Sequence, residues 1–127
     1  DFNPQTERPL VGIAAGCGLS PIWSILADAK QPTFLYLSQK SPEYMVFTEE
    51  LAASSIRVNK FSTRQQVEET DGWQNGRFEV ANIVSEVPGD AHFLVCGSLP
   101  FVRDTWQKLT AAGVDKSHIS TETFFEQ

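Results

Sequence analysis

The chain has 127 residues, enough for one domain around a single core, and its 41% hydrophobic and 20% charged residues are those of a globular protein. Lys plus Arg number 10 against 16 Asp plus Glu, a net charge of −6 that argues against sequence-independent nucleic-acid binding, which needs a positive field. No apolar run approaches the roughly 20 residues of a membrane-spanning helix, and two cysteines, Cys17 and Cys96, are too few for a disulfide framework or for a metal site of their own.

Residues 1–9 are polar, carry Pro4 and Pro9, and read as a linker. They lack the basic start and apolar middle of a signal peptide, so a reducing, cytoplasmic setting is expected. Leu10 to Ala15 is a nearly continuous apolar run of strand length, the pattern of a strand covered on both faces in a parallel sheet. Ser20-Pro21 reads as an N-cap and first helical residue, after which Ile22, Ile25, Leu26 and Ala29 recur at helical spacing. Thr33–Leu37 is a second strand, and a short helix is expected over 45–54. Ile56–Phe61 alternates apolar and polar residues, as a strand near a sheet edge does.

A polar stretch with Gly72 and Gly76 follows, then a helix over about 78–86 closed by Pro88-Gly89-Asp90. Ala91–Gly97 is a further buried strand. Ser98 is placed to cap a helix that carries Val102, Trp106 and Leu109 on one face and ends at Gly113. His118–Thr121 is the last strand. Alternating strands and helices predict an α/β, doubly wound, five-stranded parallel sheet in the order 3-2-1-4-5, with helices on both faces.

In such a sheet, ligands sit at the carboxyl ends of the strands, where the winding reverses. The first strand ends in Gly16-Cys17-Gly18-Leu19-Ser20-Pro21. Two glycines let the backbone approach a pyrophosphate, and the following helix start offers unpaired N–H groups to the anion. The third glycine of the usual dinucleotide fingerprint is replaced by Pro21, and the acidic residue expected about 20 positions on is missing. A plain strand–helix turn is the competing reading. The fourth strand ends in Cys96-Gly97-Ser98-Leu99-Pro100, so the predicted order sets two glycine turns side by side. A free cysteine such as Cys96 is also a common core residue.

Four segments carry a family resemblance. AAGCGLSP resembles the AGGTGIAP segment of the ferredoxin–NADP reductase-like flavoenzymes, and LVCGSLPFV their YxCGPPPMV segment. HISTETFF is similar to their final strand, often ending IHxERF, and WQNGRFEV to a W-x-G-R-x-G-x-V stretch of bacterial members. The segments occur in the family's order and cover nearly the whole chain. The resemblance implies the NAD(P)-binding domain, residues 10–127, of a flavin oxidoreductase. Residues 1–9 would then lead from a flavin-binding domain, in cis or in trans, that holds FAD or FMN. No Arg-x-Tyr-Ser flavin motif occurs in these 127 residues, so the isolated domain is expected to be inactive. The final electron acceptor is unknown; neither nucleic acid nor membrane is an expected partner.

By the same resemblance, Gly16, Cys17, Gly18, Leu19, Ser20 and Pro21 form the pyrophosphate turn, with Cys17 at the family's usual threonine. Cys96, Gly97, Ser98 and Leu99 match the segment beside the nicotinamide. There Cys96 acts by packing and polarity, because hydride transfer needs contact at about 3–3.5 Å and alignment rather than a base. Thr63 and Arg64 fall where NADPH-using members bind the 2′-phosphate, with Lys40 near, although NADH-using members also carry an arginine there. Glu122 and Phe124 match the terminal Glu-x-Phe, where the carboxylate lies near the flavin–nicotinamide junction in a catalytic role and a terminal aromatic covers the flavin; since Phe125, Glu126 and Gln127 extend beyond, that aromatic is Phe124 or Phe125. The plain readings are a solvated surface arginine at Arg64 and an apolar patch at Phe124 and Phe125. His92 and His118 read as structural, and Trp23 and Trp106 as helix-to-sheet packing. Trp73 is open between packing and an adenine pocket. A nucleotide-sensing module without chemistry is the alternative reading of the whole chain, and an unrelated doubly wound domain a third.

Overall fold

The computed structural model describes residues 7–15, 19–39, 56–63 and 73–124, with backbone alone at 19–21 and 122–124. The expected helix over 45–54 lies outside the described residues, as do Gly16, Cys17, Gly18, Lys40, Arg64 and Phe125. The described elements are β1 (Leu10–Ala15), α1 (Leu19–Asp28), β2 (Thr33–Gln39), β3 (Arg57–Ser62), β4 (Trp73–Asn75), α2 (Val80–Glu86), β5 (His92–Ser98), α3 (Leu99–Ala111) and β6 (Ile119–Phe124). A single 3₁₀ turn, Lys116–His118, precedes β6, and the Asp115 carboxylate accepts from the Ser117 amide at its start.

All strands pair in parallel, in the order β4-β3-β2-β1-β5-β6. The sheet therefore has six strands where five were expected. The expected five keep their predicted order, and the addition is β4 at the edge, with Lys60 opposite Trp73 and Ser62 opposite Asn75. Three residues in a polar stretch are too few for an alternating pattern to register. What holds β4 is backbone pairing to β3 and the Lys60 ammonium 5.1 Å over the Trp73 ring.

Strand alternation divides the core. Leu10, Ala14, Leu35, Leu37, Leu94 and Cys96 pack with Ile22 and Leu26 of α1 on one face. On the other face Val11, Ile13, Tyr36, Phe93 and Val95 pack with Val80 and Ile83 of α2 and with Val102 and Leu109 of α3. Full burial of each such aliphatic side chain stabilises the fold by about 1.5–3 kcal/mol. Gly12, in the middle of β1, lets α1 approach closely: a Cβ there would stand 3.1 Å from the Leu26 Cδ1 and from the Leu35 Cδ1.

The helix ends differ in how well local signals place them. α1 begins at Leu19, so Ser20 and Pro21 lie inside its first turn rather than at the N-cap. Proline is tolerated there because first-turn amides have no intrahelical acceptor. α3 stops as its sequence requires. Gly113 adopts φ +100° and its amide donates to the Thr110 carbonyl, while the Val114 amide reaches the Leu109 carbonyl. This is the left-handed glycine stop that satisfies the last carbonyls of a helix.

Candidate functional site

The winding runs from β1 outward to β4 on one side, then returns to place β5 and β6 on the other. The reversal falls between β1 and β5, where Ala14 pairs with Cys96. Their carboxyl ends, with the turn that follows each, meet at the switch point where ligands of such sheets bind.

Cys96 faces the α1 side and is fully buried among Ala14, Leu37 and Ile22. Gly97 faces the opposite side. A Cβ there would stand 2.7 Å from the Cδ2 of Phe101, so the ring lies against bare backbone. Ser98 occupies the N-cap of α3 with extended φ and ψ, but its side chain makes no capping bond, and Pro100 stands in the first turn. Leu99 projects into solvent at 51% exposure, the one exposed large hydrophobic among the described residues. β6 brings its own residues to the same rim: Cys96 pairs with Glu122, Gly97 with Thr123 and Ser98 with Phe124. The two residues predicted to be catalytic are thus adjacent in backbone register.

The far end of the rim is built by β2, β3 and β4. The Gln39 carbonyl accepts from the Thr63 amide at 2.8 Å and from the Thr63 hydroxyl at 3.2 Å. The Ser62 carbonyl accepts from the Gly76 amide at 2.9 Å. Thr63 therefore directs its hydroxyl proton to the end of β2, and a phosphate at this end would draw its donors from neighbouring residues. Ser62 and Gln39 are buried, and Lys60 is half-buried beneath Trp73.

An aromatic row that no motif announces lies below this rim. Phe61 and Phe78 meet edge to face at 5.8 Å and 75°, and Phe78 and Phe101 at 6.1 Å and 84°. Each contact in the row joins residues of different segments, so no local spacing signals it.

Both perturbed buried groups lie away from the rim. Burial chiefly holds the His92 imidazole below its ordinary value, with His118 and Arg8 adding to the effect, and its Nε2 stands 2.9 Å from the Ser120 hydroxyl. Burial, with the Glu86 carboxylate 3.5 Å away, pushes the Tyr36 phenol up to about 12. Among the described residues no cluster of three or more His, Cys, Asp or Glu is placed to hold a metal ion. No described helix is long and apolar enough to cross a membrane.

Comparison with known proteins places the chain among NAD-binding oxidoreductase domains. The family model described as "Oxidoreductase NAD-binding domain" matches residues 13–107. A flavohemoprotein of Vibrio cholerae serotype O1 is 33% identical over 132 residues, covering 97% of this chain and 32% of that protein. The phenoxybenzoate dioxygenase subunit beta of Ectopseudomonas oleovorans is 26% identical, covering 90% of this chain and 34% of that protein. The chain thus spans about a third of the length of the curated relatives it matches. Among solved structures, the flavohem-like FAD/NAD binding domain of nitric oxide dioxygenase from Vibrio cholerae superposes with a TM-score of 0.81. It is 25% identical and covers 98% of this chain and 54% of that one. The flavohemoglobin of Malassezia yamatoensis with bound FAD and heme gives 0.79 at 25% identity, covering 98% and 33%.

Proposed function

The chain belongs to the oxidoreductase NAD-binding domain family, and from that membership we propose that it holds NAD(P)H along the carboxyl rim of its sheet and presents the nicotinamide to a flavin carried by another domain. The observation that carries this reading is the pairing of Ala14 with Cys96, which sets the end of β1 beside the end of β5 at the point of reversal. The pyrophosphate lies at Gly16, Cys17, Gly18, Leu19, Ser20 and Pro21, before and within the first turn of α1, whose N–H groups are suited to an anion.

The nicotinamide lies over Gly97, Ser98 and Leu99. At this rim the Ser98 hydroxyl is not engaged in capping α3, and Leu99 stands exposed beside it. Cys96, wholly buried below, shapes the floor of this subsite and does not act as a nucleophile. Glu122 and Phe124, in register with Cys96 and Ser98, stand at the edge toward the flavin. When bound, FAD or FMN supplies the hydride acceptor. The adenosine end lies at β3, where Arg64 pairs with a 2′-phosphate if NADPH is the donor.

Calorimetric titration with NADH and with NADPH tests the reading and determines the choice between them. Saturable binding of at least one at submillimolar Kd is expected. An absence of binding by both at millimolar nucleotide overturns the proposal.

A further inference from the structure

The aromatic row holds a relation between the two ends of the rim that the binding turns alone do not. Register places Ala15, Ser38 and Phe61 on one line across the sheet, and Gly97, one residue beyond the Ala14–Cys96 pair, continues that line onto β5. Strand alternation turns all four toward the α2 and α3 face. Three of the four are Gly, Ala or Ser, so the line is a trough across the face, closed at the β3 end by the Phe61 ring. The rings of Phe78 and Phe101 run from there to Gly97, in contact steps of 5.8 and 6.1 Å. β3 and β5 stand three strand spacings apart, about 14 Å. Two ring steps and the van der Waals contact on Gly97 fill most of that span.

Each link is direction-specific. Both ring pairs are near-perpendicular, the arrangement in which the edge of one ring meets the face of the next. The first link is fixed to the β3 strand that leads into Thr63, and the last lies against the backbone of Gly97. Phe78 belongs to neither strand and bridges the two.

We propose that Phe61, Phe78 and Phe101 are positioning residues that fix the separation between the Gly97 end and the Thr63 end of the rim, so that a dinucleotide meets both at once. The inference rests on the dinucleotide reading above. A ligand that spans the rim depends on that separation, whereas a ligand that occupies one end does not. Loosening the middle of the row therefore weakens the whole dinucleotide selectively.

The test compares NADH with 5′-AMP, which reaches the adenosine end alone, on the 127-residue chain and on Phe78→Leu. Temperatures are held well below each protein's unfolding midpoint. The expected result is a roughly tenfold rise in the Kd for NADH with less than a twofold change for 5′-AMP. A merely structural role for Phe78 lowers the unfolding midpoint but leaves the ratio of the two Kd values unchanged. An unchanged ratio overturns the inference while leaving the dinucleotide reading intact. If the wild-type chain binds neither NADH nor NADPH, the reading beneath it fails and this inference fails with it. Should Phe78→Leu not fold, Phe61→Leu carries the same comparison, because it breaks the row at its β3 anchor.

Discussion

Cys96 illustrates how a residue can end a strand at the proposed binding rim without being available to solvent. Its backbone ends a strand at the switch point, yet its thiol is packed among Ala14, Ile22 and Leu37 beneath α1. A thiol with no exposure to solvent is out of reach of a disulfide reagent. In the native chain with Cys17 replaced by serine, Cys96 is therefore expected to resist Ellman's reagent for as long as the fold persists, and to react fully in strong urea. Rapid stoichiometric reaction without denaturant would mean that the thiol is open to the rim. Motif position made Cys96 and Gly97 legible in the sequence, because a strand ending in Cys-Gly before a capped helix fixes where the chain turns. The Phe101 ring against Gly97 was not legible, since it depends on two elements closing over one another.

At the scale of elements, the ends of α3 contrast. Its carboxyl end is specified by Gly113 in a conformation that glycine adopts without strain, with two backbone bonds on the last carbonyls. Its amino end has Ser98 at the N-cap position, but the hydroxyl does not satisfy a helix amide. A working serine cap is worth about 1 kcal/mol. Ser98→Ala is thus expected to lower stability by much less than that in urea unfolding, while weakening NADH binding severalfold if the nicotinamide subsite proposed above includes that hydroxyl. A full capping loss with unchanged NADH affinity would reverse that assignment. Periodicity marks the cores of the helices and strands, whereas their boundaries lie one to three residues from where local signals put them, as at Leu19 and His92. No pattern marks β4, because a strand of three residues is held by pairing and by Trp73.

Across the whole molecule, the amino ends of the strands form a second junction, opposite the rim. The His92 amide donates to the Pro9 carbonyl, Arg8 donates to the Asp90 carbonyl, and the His92 ring meets Ser120 of β6. Residues 7–9, β5 and β6 are tied together around one buried imidazole. Because burial and the neighbouring cations hold His92 below its ordinary 6.5, the folded chain favours the neutral ring. Above pH 6.5 both folded and unfolded chains carry it neutral, and its contribution is fully present. As pH falls below 6.5 the unfolded chain takes up the proton first, and stability declines until the folded value is passed. The urea midpoint is expected to drop between pH 7.5 and 5.5, with a smaller drop in His92→Gln. Identical pH dependence in the two proteins would assign the effect to other groups.

The central place of β1 has a consequence for how the chain is made. One edge of β1 is satisfied by β2, which follows it closely, but the other waits for β5, whose His92 pairs with Leu10. At about 5–20 residues per second, a ribosome takes on the order of 4–16 s to synthesise the intervening chain. Throughout that interval an apolar strand edge is without its native partner, the kind of surface that recruits wrong partners. Parallel pairing over such a separation also carries a large loop-closure cost and folds slowly. The contact that creates the switch point is therefore among the last to form on a nascent chain, and it sets the stretch of synthesis during which this domain depends on protection from its neighbours.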